Sequence, residues 1–187
     1  MAISASQLRR GSVVLVGGDP HRVVEYQSVK PGKGPAYMQT KLRNLKTGAI
    51  FDQRYRSADT VETASLETHE LQFLYADGTH YHFMNNETFE QVVLDDAALE
   101  GAARWLMPNL VIQAEVFDGS PIGIRLPKTL DLQVVETEPG VRGDTKTAVT
   151  KPAKLENGVT VTVPPFIEVG EKVRVDPAEG VYLERAR

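Results

Sequence analysis

The sequence predicts an all-β protein built from small barrels or sandwiches. Apolar and polar residues alternate with a period of two along most of the 187 residues, in short segments rich in Val, Ile, Thr, Tyr and Phe. Turn sequences separate these segments, among them Gly17-Gly18-Asp19-Pro20, Asp77-Gly78 and Asp118-Gly119. The alternation of strands with long helices that marks a parallel α/β sheet does not occur. Short strands at close spacing are typical of small closed or two-layered β structures.

The alternation predicts twelve strands and one helix. The strands are Ser12–Val16, His21–Gln27, Tyr37–Leu42, Ile50–Arg56, His69–Tyr75, Thr79–Met84, Phe89–Leu94, Val111–Phe117, Leu130–Glu136, Val159–Val163, Lys172–Asp176 and Val181–Glu184. The helix is predicted over Asp95–Leu106, where Asp95 is placed to cap a run that is rich in alanine.

Charge divides the chain into three modules. Residues 1–65 carry ten Lys and Arg against five Asp and Glu, residues 66–128 carry three against ten, and residues 129–187 carry eight against ten. The change of sign near residue 65 and the segment Pro121–Leu130, which contains Pro127, mark two boundaries. We therefore predict domains at 1–65, 66–128 and 129–187. Barrels of about 60 residues are small, but they fold when their neighbours pack on them.

Composition excludes several classes of protein. Without cysteine the chain has neither a disulfide framework nor a thiolate metal site. The apolar run after Arg9 and Arg10 is too short for a signal-peptide core, and no apolar stretch is long enough to cross a bilayer. We expect a cytoplasmic protein with no membrane partner.

Catalytic signatures are missing from the sequence. It contains no GxSxG, HExxH, GxGxxG or GxxxxGK[ST] motif. His80 and His82 would share one face of a predicted strand, but no third His or Cys stands nearby to complete a metal site. We expect no enzymatic activity, no metal and no other cofactor.

A basic hairpin in the first module carries the main functional pattern. No acidic residue occurs from Tyr26 to Phe51, and the Pro/Gly loop inside this stretch places Lys33 at its tip between Gly32 and Gly34. Glycines let a backbone approach a crowded partner, and flanking prolines restrict the loop. A lysine on such a tip suits a narrow polyanionic cavity. The loop alone fits an ordinary exposed turn equally well.

Four collinear segments resemble the elongation factor P family and together cover nearly the whole chain. They are Val29–Ala36 with Thr40–Gly48, Phe83–Gln91, Pro139–Thr145, and Lys151–Gly158 with Val163-Pro164 and Val169-Gly170-Glu171. The family is related to the hypusine-containing factor of eukaryotes and archaea. The resemblance implies an SH3-like (KOW-like) barrel followed by two OB-type barrels, in an L-shaped arrangement that imitates tRNA. It also implies a monomer.

The resemblance further implies a function on the 70S ribosome. Members of the family bind between the P and E sites at consecutive prolines and position the CCA end of the P-site peptidyl-tRNA. The residue implied to approach the CCA end is Lys33, on a tip loop that also contains Lys30, Pro31, Gly32, Gly34 and Pro35. The residues implied to lie near the mRNA codon in the E site are Gly143, Asp144 and Thr145.

Two further expectations concern the same hairpin. Candidates for RNA phosphate contacts, which position a protein without reading sequence, are Lys41, Arg43, Lys46, Arg54 and Arg56. Many members of the family carry a covalent extension on the tip residue. A lysine at position 33 is compatible with β-lysylation by a lysine-modifying enzyme and incompatible with rhamnosylation. Pro35 offers an alternative, in which it stiffens an unmodified loop.

Three other interpretations stay open. The chain is an elongation-factor-P-like paralogue or another ribosome- or RNA-binding module if it lacks proline specificity. It is a hydrolytic or small-molecule-binding β-barrel if a pocket gathers titratable groups. Arg142-Gly143-Asp144 would suggest an adhesion ligand only in a secreted protein.

Overall fold

A computed structural model describes residues 1–139 and 150–187 and confirms the all-β prediction. Its strands are β1 Ala2–Ser4, β2 Val13–Val16, β3 Asp19–Val29, β4 Tyr37–Asn44, β5 Ile50–Arg56, β6 Thr60–Glu62, β7 Glu67–Asp77, β8 His80–Asn85, β9 Gln91–Asp95, β10 Val111–Phe117, β11 Ser120–Arg125, β12 Leu130–Thr137, β13 Lys151–Leu155, β14 Thr160–Val163, β15 Lys172–Asp176 and β16 Val181–Arg185. The helical elements are α1 Asp96–Leu99 and two 3₁₀ turns, Ala5–Gln7 and Ala102–Trp105. No helix in these described ranges is long and apolar enough to span a membrane.

The described chain forms two compact units, and unit 1 consists of residues 1–69 together with 114–123. Its main sheet has the antiparallel order β2-β3-β4-β5, and β1 pairs separately with β6. One face of this sheet covers a core of buried side chains, which are Ala5, Leu8, Val14, Val23, Met38, Leu42 and Val61. This core fixes the β3–β4 hairpin on which the predicted functional loop stands.

Unit 2 consists of residues 70–113 and 124–187. Strands β7, β8 and β9 pair consecutively and antiparallel, and a second sheet has the order β14-β13-β12-β15-β16. The second sheet covers a core made of Trp105, Leu130, Leu132, Val134, Ala153, Leu155, Val161, Val163, Ile167, Val173 and Val175. Every strand of this sheet except β16 contributes residues that belong to this buried set.

The helix predicted over Asp95–Leu106 is wrong in its extent. Asp95 is the N-cap as predicted, and its Oδ1 accepts a hydrogen bond from the Ala98 backbone N–H at 2.9 Å. Glu100 and Gly101 then adopt left-handed conformations with φ of 48° and 83°. Consecutive left-handed residues end a helix, so α1 has only one turn and the chain continues as the 3₁₀ turn Ala102–Trp105.

Four strands were missed, for identifiable reasons. Strands β1 and β6 have three residues each, which is too short for an alternation to register. Strands β11 and β13 contain Pro121 and Pro152, and proline argues against a strand interior. β13 tolerates its proline because the register with β12 begins only at Ala153. The predicted boundary segment Pro121–Leu130 therefore starts inside a strand. The domain limits themselves, near residues 65 and 128, stay a prediction.

An ion-pair network on the second sheet predicts acid sensitivity. Arg174 donates to both oxygens of Asp131, at 2.7 and 2.9 Å, and to Glu184 at 2.8 Å. The hydrogen bonds from Arg174 lower the pKa of Asp131, which opposes the effect of its slight burial. Because the folded pKa lies below the unfolded one, this contribution to stability is complete above about pH 4 and is lost as the pH falls through the folded pKa.

We expect Asp131→Asn to flatten the acid side of the stability profile slightly. The measurement is the unfolding midpoint between pH 2 and pH 7 at low salt, where screening of exposed charges is weakest. The control is Asp118→Asn, a substitution at a carboxylate outside this network. Equal acid-side slopes for Asp131→Asn and the wild type would contradict the assignment.

Candidate functional site

The tip loop is the connection 30–36 at the end of the β3–β4 hairpin. The two strands pair from His21 with Asn44 to Val29 with Tyr37, so the ladder runs directly up to the loop. Met38 and Leu42 are buried on the inner side of β4 and anchor the hairpin to the core of unit 1. Lys30 and Lys33 are both exposed. The structure thus confirms the predicted hairpin and places Lys33 in its solvent-exposed loop.

Gly34 gives the tip its shape. Its φ of 112° lies in the region that favours glycine, whereas Gly32 has no such conformation. A Cβ on Gly34 would lie 3.8 Å from Cγ of Pro31, which is ordinary contact, so the constraint comes from the backbone and not from crowding. Pro31 and Pro35 fix their own φ angles on either side of Lys33 and limit the freedom of the loop.

The two tip glycines form a matched pair for mutation. We expect Gly34→Ala to disfavour the observed loop conformation by about 1–3 kcal/mol, because it places a side chain at positive φ. Gly32→Ala has open space around its Cβ and should leave the loop unchanged. Backbone amide chemical shifts of residues 30–36 would measure the difference. Equal shifts in the two variants would show that Gly34 does not set the tip conformation.

Four of the five phosphate-contact candidates share the outer face of the sheet. The inner side of β4 is formed by Met38, Thr40 and Leu42, so Lys41 and Arg43 point to the other side. In the β4–β5 register, Arg56 lies opposite Tyr37 and Arg54 opposite Gln39, which puts both arginines on that same outer face. Lys46 differs, because it lies in the β4–β5 turn at the end of the hairpin away from the tip.

Carboxylates accompany two of the candidate cations, Lys41 and Lys46. Lys41 pairs with Glu25 at 3.3 Å and faces Asp52 across the β4–β5 ladder. Lys46 contacts Asp19 at 2.8 Å, and its hydrogen bond lowers the pKa of the Asp19 carboxyl. Near the tip, the Arg54 guanidinium lies over the Tyr37 ring, 4.3 Å from its centroid. Arg56 is exposed next to it.

The other end of the outer face is covered. Arg22, which lies opposite Arg43 in the β3–β4 register, donates to the carboxylate of Glu115 on β10. The side chains of this pair retain only 23% and 10% of their exposure. A Cβ on Gly123 would come within 3.4 Å of the Arg22 guanidinium, so the glycine leaves room for this contact. Sequence reasoning missed the pair because 93 positions separate its members.

The other motifs noted in the sequence have different outcomes. Within residues 1–139 and 150–187, no group of three or more His, Asp or Glu side chains is placed to hold a metal ion. His82 instead stacks on Tyr75, with ring centroids 4.3 Å apart. Gly143, Asp144 and Thr145 lie outside the described residues, and so does the Arg142-Gly143-Asp144 tripeptide.

Comparison with known proteins assigns this arrangement to a family. Three family models match in order, described as "Elongation factor P (EF-P) KOW-like domain" over residues 4–61, "Elongation factor P (EF-P) OB domain" over 66–124 and "Elongation factor P, C-terminal" over 130–185. The chain belongs to the elongation factor P family. It is therefore a member of a family of translation elongation factors, with a KOW-like first domain, an OB domain and a C-terminal domain.

Individual relatives agree with this assignment. Elongation factor P of Gemmatimonas aurantiaca is 55% identical over 187 residues, with both chains fully covered. Elongation factor P of Acidobacterium capsulatum is 49% identical over 186 residues, again with full coverage of both chains. Among solved structures, eukaryotic translation initiation factor 5A from Methanococcus jannaschii matches 67% of this chain and 94% of its own, with a TM-score of 0.51 and 21% identity. At that identity the match shows a shared fold alone.

Proposed function

We propose that this chain binds the ribosome between the P and E sites and promotes peptide-bond formation at consecutive prolines. In this proposal it positions the CCA end of the P-site peptidyl-tRNA. The observation that carries the proposal is Lys33, an exposed ammonium group on a narrow loop held by two prolines and by the left-handed Gly34. Membership of a translation factor family supplies the ribosomal context.

The physical contribution of the chain is placement. Proline is a poor nucleophile and a conformationally stiff acyl donor. Peptidyl-tRNA that ends in proline is therefore poorly oriented for peptide-bond formation. Holding reacting groups in a near-attack geometry lowers a barrier through translational and rotational entropy that binding has already removed. The ribosome performs the chemistry, and no catalytic step is assigned to this chain. A loop with few accessible conformations loses little entropy when it docks, which favours a restrained tip over a flexible one.

The outer face of the first sheet supports the tip by contacts with RNA phosphates. Arg54 and Arg56 lie opposite the first residues of β4 and are therefore nearest the loop. The guanidinium group suits this role because it is always charged and presents several donors to a phosphate. Lys41 and Lys46 already have carboxylate partners, so we assign them smaller contributions. The segment Gly143-Asp144-Thr145 is proposed to lie near the E-site codon.

Lys33 also has the chemistry of a modification site. Its amine is exposed and is compatible with extension by a lysine-modifying enzyme such as one that adds β-lysine. Alternatively, Pro35 stiffens the loop enough for an unmodified lysine to act. The intact mass of protein purified from its native host separates the two, since an added mass on Lys33 would count against the role given to Pro35.

A purified translation system tests the proposed function. The measured quantity is the rate of synthesis of a reporter with three consecutive prolines, with and without the protein, against a matched reporter in which alanines replace the prolines. We expect acceleration of the proline reporter only. Equal acceleration of both reporters would instead support a general ribosome-binding paralogue. If neither responds, even with protein purified from the native host, the proposed function is wrong.

A further inference from the structure

The outer side of β7, β8 and β9 carries an aromatic row that the proposed function does not use. Tyr75 pairs with His82, and His82 pairs with Val93, so the three side chains cross the sheet side by side. An irregularity between Phe73 and Tyr75 sets this register. Phe73 and Phe83 point to the buried side, whereas Tyr75 and Val93 remain 53% and 51% exposed.

The next row on the same side of the sheet is acidic. Asp77 pairs with His80, and His80 pairs with Asp95, so two carboxylates flank the imidazole beside the aromatic row. Asp77, His80 and Asp95 are all exposed, and Asp95 uses one oxygen to cap α1. We call these two rows, Tyr75-His82-Val93 and Asp77-His80-Asp95, the aromatic-acidic face.

Two rings of this face stack on each other without a partner. The Tyr75 and His82 rings are 14° from parallel, with centroids 4.3 Å apart. A stacked pair loses little conformational freedom on binding and presents aromatic surface to a planar group. Exposed aromatic side chains in a fixed arrangement are typical of recognition surfaces.

Charge decides which kind of partner fits. Between Arg56 and Arg104 the sequence contains neither Lys nor Arg, whereas it contains ten Asp and Glu. A surface in this segment repels the phosphates of RNA, although stacked aromatic rings on an OB domain would otherwise suit nucleic-acid bases. The partner must therefore be cationic and must have a group that stacks on a ring.

We propose that the aromatic-acidic face binds an arginine-bearing segment of a basic protein. The planar guanidinium stacks on aromatic rings and also forms paired hydrogen bonds with carboxylates, whereas the lysine ammonium does neither in the same way. One arginine stacks on Tyr75, and Asp77 receives a second charge from the same segment. This surface shares no residue with the tip loop, and the proposal does not depend on the role of Lys33.

Binding of model peptides to the full-length protein tests the proposal. The probes are a fluorescein-labelled peptide of alternating arginine and glycine, its lysine counterpart of equal charge, and a labelled oligouridine RNA. Fluorescence anisotropy at low salt should show the arginine peptide binding more tightly than the lysine peptide. Tyr75→Ala should lower the affinity for the arginine peptide at least about fivefold, which corresponds to the loss of one exposed cation–π contact.

Two control variants locate the binding. Tyr75→Phe keeps the ring and should retain the affinity for the arginine peptide. Phe89→Ala removes an aromatic side chain that is 72% exposed in the β8–β9 connection, outside the aromatic-acidic face, and should also retain it. Asp77→Asn should lower the affinity for the arginine peptide and reduce the salt dependence of that affinity. Equal affinity for arginine and lysine peptides, no effect of Tyr75→Ala, or tight oligouridine binding that Tyr75→Ala abolishes would each overturn the proposal. Concentration-dependent self-association lost in Tyr75→Ala would point instead to a second copy of this chain.

Discussion

Lys33→Ala should lower the acceleration of a three-proline reporter by at least about tenfold and leave the protein folded. A loss of this size corresponds to about 1.4 kcal/mol of positioning energy, within the range of one charge-assisted contact. Lys33 is exposed in the loop 30–36, outside the hydrogen-bonded ladder of β3 and β4. Exposed substitutions of this kind change the free energy of unfolding by less than about 0.5 kcal/mol. The measurement is the initial rate of proline-reporter synthesis, with the unfolding midpoint recorded on the same preparation.

Lys30→Ala is the matched control for this prediction. Lys30 lies in the same loop and carries the same charge as Lys33. A purely electrostatic effect would therefore be similar in both variants. We expect Lys30→Ala to keep at least half of the acceleration. Lys33→Arg retains the charge but not the amine, and its activity separates a need for charge from a need for modification. Full acceleration by Lys33→Ala would contradict the role of the tip.

The hairpin was predictable because its information is local. Alternating residues on either side of a Pro/Gly loop specify two paired strands. The observed β3–β4 ladder starts at Tyr37 as predicted and runs to Val29, two residues beyond the predicted strand end at Gln27. The outward position of Lys41, Arg43, Arg54 and Arg56 follows from the same period of two. The sequence did not identify the carboxylates that accompany Lys41 and Lys46, because those contacts join residues 16 and 27 positions apart.

Long-range packing explains the ion pair that the sequence did not reveal and the error in the predicted helix. The ion pair of Arg22 and Glu115 connects β3 to β10, and no local sequence pattern predicts a contact between residues so far apart in the chain. The helix ends earlier than predicted, at Glu100 and Gly101, which are left-handed. The chain turns there so that Trp105 packs against the second sheet, whose first strand begins more than 20 residues later. An alanine-rich run has high helix propensity, but tertiary packing overrides a preference of this size.

That packing makes Trp105 the residue whose loss should cost the most stability. Its side chain is 1% exposed and lies in the core covered by the second sheet of unit 2, together with residues of β12 to β15. We expect Trp105→Ala to lower the free energy of unfolding by about 3–5 kcal/mol, since a large cavity forms among side chains held by a sheet. Amide hydrogen exchange along β12–β16 should accelerate accordingly, and circular dichroism during denaturation gives the midpoint.

Trp105→Phe distinguishes the contribution of the ring from that of the indole N–H. Within the described residues Nε1 of Trp105 is buried and has no hydrogen-bond partner, so removing it costs no contact and relieves an unsatisfied donor. We therefore expect Trp105→Phe to lose much less stability than Trp105→Ala, despite its smaller volume. A similar loss in both variants would mean that the indole N–H has a partner or that packing at this site depends on the full indole shape. If Trp105→Ala left both the midpoint and the exchange rates unchanged, the 3₁₀ turn Ala102–Trp105 would not anchor this core.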